Sequence, residues 1–186
     1  SPNGVVSFVN PFFGNVGPNP GFPAGMPVIA PFWADADLTS GGGSVHLSRG
    51  LSQRGNPFVQ IDWNNVGYYD QSSPSNLDLR NTFSLYLEDA AAGDIVAFVY
   101  DTMQWTTGDL DGTNGFGGFG AEIGFSGWGS QYYSEMRPNS QQGLNALAAA
   151  TDNALTIIDV SDPANPIKLG ELQDGIGGFD LLNNPH

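Results

Sequence analysis

The chain contains no cysteine, which removes disulfides, thiolate nucleophiles and cysteine-ligated zinc together. Histidine is almost as scarce: His46 lies in an alternating segment and His186 is the last residue. A Ser-His-Asp arrangement would have to draw on one of these two, and neither sits in a motif. Basic residues number five, Arg49, Arg54, Arg80, Arg137 and Lys168, against 19 acidic ones, for a formal net charge of −14. Nucleic acids and anionic membranes bind basic surfaces through counterion release and attraction, so both are poor partners here. Five cations also limit ion pairing, and exposed pairs contribute only about 0 to 1 kcal/mol each. No stretch approaches the ~18 apolar residues of a membrane span, and the N-terminus shows no basic start followed by an apolar run. Membrane insertion is therefore not expected, and the chain reads as a mature piece whose true start lies upstream of Ser1.

What is present points to sheets. Aromatics make up 12 % of the 186 residues, alongside 26 glycines and 13 prolines, a mixture of strand-favouring side chains and turn formers. Val45, Leu47 and Arg49 alternate with His46 and Ser48, and Val59, Ile61 and Trp63 with Gln60 and Asp62, which predicts half-buried strands. Thr82 to Glu88 and Ile95 to Tyr100 form the clearest hairpin, with Asp89 to Asp94 as its turn. Ala121, Ile123 and Phe125 mark another strand, after a glycine-rich stretch from Gly115 to Gly120 that reads as a loop or sheet corner. One segment breaks the pattern: Asn139 precedes Gln142 by three residues, and Leu144, Leu147, Ala148 and Thr151 follow at helical spacing. The expected fold is all-β, sandwich-like antiparallel sheets with one short helix near 140–151.

Several motifs in fixed order carry a family resemblance. Ile29-Ala-Pro-Phe-Trp-Ala-Asp-Ala-Asp37, Asn81-Thr-Phe83, Phe98-Val-Tyr100, Met103-Gln-Trp-Thr-Thr-Gly108 and Ala121-Glu-Ile-Gly-Phe125 resemble the NIDO domain, an extracellular module that also occurs in bacterial surface proteins. The resemblance spans about residues 4–150 and lacks the family's usual first strand. It implies an adhesive or matrix role, no catalysis, and a secreted or cell-surface location, here bacterial. After Asn153 the texture changes. Leu155 to Gly170, with Ile158-Asp-Val-Ser-Asp-Pro-Ala-Asn-Pro166, is similar to LVIVD-type repeats, of which one copy cannot close a propeller. The expected division is a β domain over 1–152 and, over 153–186, a hairpin extension or the start of a further repeat.

Three constellations bear on chemistry. Asp109, Asp111 and Asn114 have the short acidic spacing and the intervening glycine of a calcium loop, without the distal bidentate Glu; a polar turn is the plainer reading of the same residues. Asp35 and Asp37 lie on one side of an extended chain about 7 Å apart, which suits a cation, a glycosidase acid pair, or two solvated carboxylates, the last being favoured. Trp33 and Trp105, inside apolar motifs, read as core. Tyr68-Tyr69 and Tyr132-Tyr133 are adjacent on strands and face opposite ways, so at least one ring of each pair should be accessible for partner binding. The function expected is non-enzymatic adhesion or assembly, the partner being an extracellular protein, a glycan, or another copy pairing at an open sheet edge and building fibres. Calcium-assisted carbohydrate binding is the second reading and a glycosidase the third.

Overall fold

The structure is a computed structural model that describes residues 1–11, 26–39, 43–70, 79–91, 93–109, 112–127, 132–136, 144, 154–159 and 167–173, with the backbone alone for 132–136, 154–159 and 167–173. It is built from antiparallel strands: β1 (Val6–Ser7), β2 (Val28–Trp33), β3 (Ala36–Asp37), β4 (Ser44–Leu51), β5 (Pro57–Tyr68), β6 (Asn81–Glu88), β7 (Ile95–Met103), β8 (Glu122–Ser126), β9 (Tyr132–Met136), β10 (Ala154–Asp159) and β11 (Ile167–Gln173). One sheet runs β1-β2-β8-β9, and a five-stranded sheet runs β3-β5-β6-β7 with β4 also on β5. β10 and β11 form a separate hairpin. Of the segment expected to be helical only Leu144 is described, and it is helical and buried. Among the described residues no helix is long and apolar enough to cross a membrane.

The core lies between the two large sheets. Trp63 stacks on Phe83 at 5.1 Å, Phe83 meets Phe32 at 5.4 Å, and Phe32 meets the edge of Trp105 at 5.7 Å. These rings come from β2 on one side and β5, β6 and the segment after β7 on the other, so the chain of contacts ties the layers together, each pair adding about 0.5 to 1.5 kcal/mol beyond burial. The Tyr100 hydroxyl donates to the Pro31 carbonyl at 2.6 Å, a further link between the sheets. Buried polar groups are met in kind. Asn81, fully buried, donates to the Trp105 carbonyl at 2.9 Å and accepts from the backbone N–H of Gln104 at 2.7 Å and of Trp105 at 3.2 Å. The Trp105 indole donates to the Val66 carbonyl at 3.0 Å.

Bulges decide which faces are buried. On β5 the pairing steps from Trp63–Phe83 to Val66–Asn81, an extra residue accommodated by Asn65 at φ 54° and held by the Thr82 hydroxyl, which accepts from the Asn65 N–H at 3.0 Å. One inserted residue reverses the alternation, so Ile61 and Trp63 are followed into the core by Val66 and Tyr68. On β2 a shift between Ala30 and Trp33 puts Ile29 and Phe32 in the central core while Val28, Ala30 and Trp33 join Val5 in a second cluster. Trp33 and Trp105 are both core residues.

β4 departs from the half-buried strand its alternation predicts. From Val45 to Leu51 every residue is exposed, Leu47 by 66 % and Leu51 by 71 %. Val45 pairs with Trp63, Leu47 with Ile61 and Arg49 with Val59, so its apolar row continues the inner face of the sheet. That row extends past the cover supplied by the opposite sheet.

Candidate functional site

The motif residues after β2 and after β7 converge at one end of the sandwich. The Tyr69 N–H donates to the Asp35 carbonyl at 2.9 Å, and the Asp109 N–H donates to the Tyr69 carbonyl at 2.7 Å. Three segments distant in sequence are thereby laced side by side. Gly108 closes the gap: a β-carbon on it would stand 2.8 Å from the Asp35 β-carbon and 3.0 Å from Asp35 Oδ2, so the carboxyl of Asp35 packs onto the glycine itself. Asp35 Oδ2 is buried without a hydrogen-bond partner, and Asp109 Oδ1 is likewise shielded from solvent. Burial, and then the charge of Asp37, push the Asp35 carboxyl up to about 6. Asp37 is differently placed, its Oδ1 accepting from the Thr39 N–H at 2.7 Å and the Thr39 hydroxyl at 2.6 Å. A local turn thus occupies one carboxylate of the pair and desolvation perturbs the other.

The sequence expected Asp109, Asp111 and Asn114 to act together. Asp111 lies outside the described residues. Asn114 and Gly115 have φ of 53° and 82°, and Thr113 and Phe116 exchange backbone hydrogen bonds at 2.8 and 3.2 Å, the features of a type I′ turn, whose central positions favour Asn-Gly. Asn114 therefore serves the exposed tip of a turn, while Asp109 Oδ1 is shielded from solvent. Among the described residues no three His, Cys, Asp or Glu side chains form a metal-holding group. The expectation followed sequence spacing, whereas the main chains of Asp35 and Asp109 are each tied to Tyr69 by a backbone hydrogen bond.

The tyrosines divide. Tyr68 is 2 % exposed and lies 6.0 Å from Trp105, ring to ring: the β5 bulge turns it into the core, and the accessible ring of this pair is that of Tyr69. Tyr69 is 39 % exposed and stands beside Asp35 and Asp109. Tyr132 and Tyr133 are in β9, with side chains outside the described residues.

A pH effect follows from Asp35. Its folded-state value of about 6 lies above the ordinary 3.8, so the native state binds more protons between those limits. The stability this carboxyl withdraws is nil in acid, grows as pH rises from about 4 to 6, and stays constant above that range. Asp35→Asn is expected to raise stability at pH 7.5 by about 1 to 2 kcal/mol, after allowance for solvent screening, and by nothing at pH 3.5. Urea unfolding of both proteins at the two pH values checks this; equal midpoints at pH 7.5 would refute it.

A second exposed surface is β4, whose outer edge has no partner strand among the described residues. Its turn is fixed from below: the Ser52 N–H donates to the Asn56 carbonyl at 2.8 Å, and Glu88 accepts from Asn56 Nδ2 at 2.6 Å, the Tyr86 hydroxyl at 2.7 Å and the Ser52 hydroxyl at 3.2 Å. Burial opposes ionisation of Glu88, yet these hydrogen bonds, from Asn56, Tyr86 and Ser52, hold it below the usual range. Burial and then the Glu88 hydrogen bond push Tyr86 up to about 12. β4 is thus an exposed strand on a rigid mount.

Comparison with known proteins follows the same lines. The nidogen-like domain family, NIDO, matches residues 1–156, and the LVIVD repeat matches residues 146–174. Nidogen-1 of Mus musculus is 30 % identical over 128 residues, covering 56 % of this chain and 10 % of nidogen-1. The chain thus spans about a tenth of that relative's length. No solved structure matches. Ordered motifs whose Trp33, Asn81 and Trp105 build the core, and a family match across most of the chain, give one result: this chain belongs to the nidogen-like (NIDO) domain family.

Proposed function

We propose that the chain is an extracellular structural or adhesion module without catalytic activity, and that it works through its surface. The observation that carries this reading is where the family motifs go. Phe32, Trp33, Asn81, Tyr100, Trp105 and Ile123 are buried and packed or hydrogen-bonded within the sandwich, so the residues that define the family build a scaffold. The relationship to nidogen-1 supports an extracellular setting, and the bacterial surface location remains part of the proposal. The partner is an extracellular protein, with other copies of this chain as the self-assembling case. Electron microscopy of the protein from its native source, with and without EDTA, tests the reading. Ordered fibres would make the partner another copy, and sensitivity of those fibres to EDTA would add a cation. Isolated particles together with failure to bind any extracellular protein in a matrix-binding screen would overturn the proposal.

Calcium-assisted glycan binding has one specific observation in its favour: Asp35 Oδ2 and Asp109 Oδ1 are both shielded from solvent, and the exposed Tyr69 is tied to both residues through its main chain. Oxygen ligands of this kind suit calcium. Bound calcium would reverse the effect of Asp35→Asn, making it destabilising in 5 mM-scale, roughly saturating calcium while it stays stabilising in EDTA. A glycan array blank in both conditions would remove the glycan. A glycosidase using Asp35 and Asp37 would lose turnover in Asp35→Asn.

A further inference from the structure

We infer that the free edge of β4 is a strand-addition site for an extended acidic segment of another protein, one that carries apolar residues on a single face. The inference deepens the adhesion reading by naming the chemistry of the partner, and it rests on that reading. Among the described residues β4 pairs with β5 alone, so its outer edge offers eight residues of backbone to a new strand. Edges of this length are usually covered or shortened in native proteins. Its inner-face row, Val45, Leu47, Arg49 and Leu51, stands in the open: Val45 is 38 % exposed, Leu47 66 % and Leu51 71 %. Beneath Val45 and Leu47 lies a concavity of about 320 Å³ that also reaches Val6, Ile61 and Trp63. A strand hydrogen-bonded to β4 would lie about 4.8 Å further out and extend this inner layer.

Charge selects the occupant. The chain carries −14 overall, yet no Asp or Glu lies between Asp37 and Asp62, and that stretch holds His46, Arg49 and Arg54. β4 is the acid-free edge of an acidic protein. Within its apolar row the one charged member is Arg49, exposed and flanked by Leu47 and Leu51. A partner running antiparallel therefore needs, at alternate positions, an apolar residue for Leu51, a carboxylate for Arg49, and apolar residues for Leu47 and Val45. A second copy cannot supply this from β4. Any two-fold pairing that keeps the inner faces together sets Arg49 against Val45, Leu47, Leu51 or the other Arg49, since β4 contains no acid. The unmatched arginine makes self-pairing unfavourable and selects a carboxylate-bearing strand.

The test uses the full chain and a fluorescein-labelled probe, Ile-Thr-Glu-Thr-Ile-Thr-Val, followed by fluorescence anisotropy up to about 1 mM probe. Binding is expected, and methylating alternate backbone nitrogens along one edge of the probe should abolish it, because strand addition depends on those donors. Arg49→Glu should weaken binding at least about ten-fold, and replacing the probe's Glu by Lys should restore it toward the Arg49→Glu protein. Binding indifferent to methylation on either edge, or no binding at all, overturns the proposal. So does a dimer in sedimentation equilibrium that Leu47→Glu dissociates, which would assign the edge to a second copy. Each of these failures concerns β4 alone; the adhesion reading fails separately, on the matrix-binding screen.

Discussion

Replacing Asn81 by leucine is expected to remove about 3 to 5 kcal/mol of stability, since it strands three backbone groups, two buried and one half-buried, a buried one costing about 1 to 3 kcal/mol when left unmet. The side chain opens β6 and is fully buried, and its amide holds the segment after β7 by both ends. It donates to the Trp105 carbonyl and accepts from the N–H groups of Gln104 and Trp105. That segment carries the Trp105 ring against Phe32 and Tyr68 and continues to Gly108 and Asp109. Leucine matches the volume and supplies none of the bonds, so the loss is polar rather than a cavity. Asn81→Asp separates donor from acceptor. It keeps the acceptor for the two N–H groups, loses the donor to the Trp105 carbonyl, and buries a charge. Burial favours the protonated acid, which can donate again, so the aspartate variant should recover stability as pH falls from 7 toward 4, whereas the leucine variant should not. Urea midpoints of both variants across that range decide the matter. A loss below about 1 kcal/mol for leucine would mean that the loop finds other partners.

The sequence made the strand arrangement readable where alternation, turns and apolar content agree. The β6–β7 hairpin and β8 follow from Phe83, Leu85 and Leu87 and from Ile123 and Phe125, and the family resemblance rests on residues that the structure assigns to the core. Local irregularity was less legible. Nothing in Asn64-Asn65 distinguishes an ordinary strand position from a bulge, yet that single insertion decides that Tyr68 is core and Tyr69 is surface. The alternation of β4 was read correctly as a strand and incorrectly as half-buried, because a pattern of period two reports which side is apolar and says nothing of whether the opposite sheet reaches far enough to cover it. The Asp35–Tyr69–Asp109 arrangement was hidden for a third reason. It is made by main-chain hydrogen bonds between segments far apart in sequence, and any side chain at those positions would be carried along with them.

Gly4→Ala is the other substitution expected to have a large effect, and its cause is separable from ordinary glycine strain. Gly4 has φ +68°, and a β-carbon there would stand 1.9 Å from the Phe32 carbonyl oxygen and 2.7 Å from its carbon. Backbone on both sides leaves no flexible side chain to move away. Around this contact the first residues are stitched to the sandwich: the Ala34 N–H donates to the Asn3 carbonyl at 3.1 Å, the Ala36 N–H to Asn3 Oδ1 at 3.2 Å, and the Trp63 indole to the Ser1 carbonyl at 3.1 Å. Pushing the two backbones apart loosens all three and opens Val5, which is fully buried. Gly55 provides the control, because its φ is +83° with nothing within 4 Å of the added carbon. Gly55→Ala should cost only the left-handed penalty, about 1 to 2 kcal/mol, whereas Gly4→Ala should cost roughly 3 to 5 kcal/mol. Hydrogen exchange gives the spatial signature: in Gly4→Ala the Ala34 and Ala36 amides should lose protection ahead of those in β6. Equal midpoints for the two variants would mean that conformational strain alone acts at Gly4 and that the N-terminal segment yields without disturbing β2.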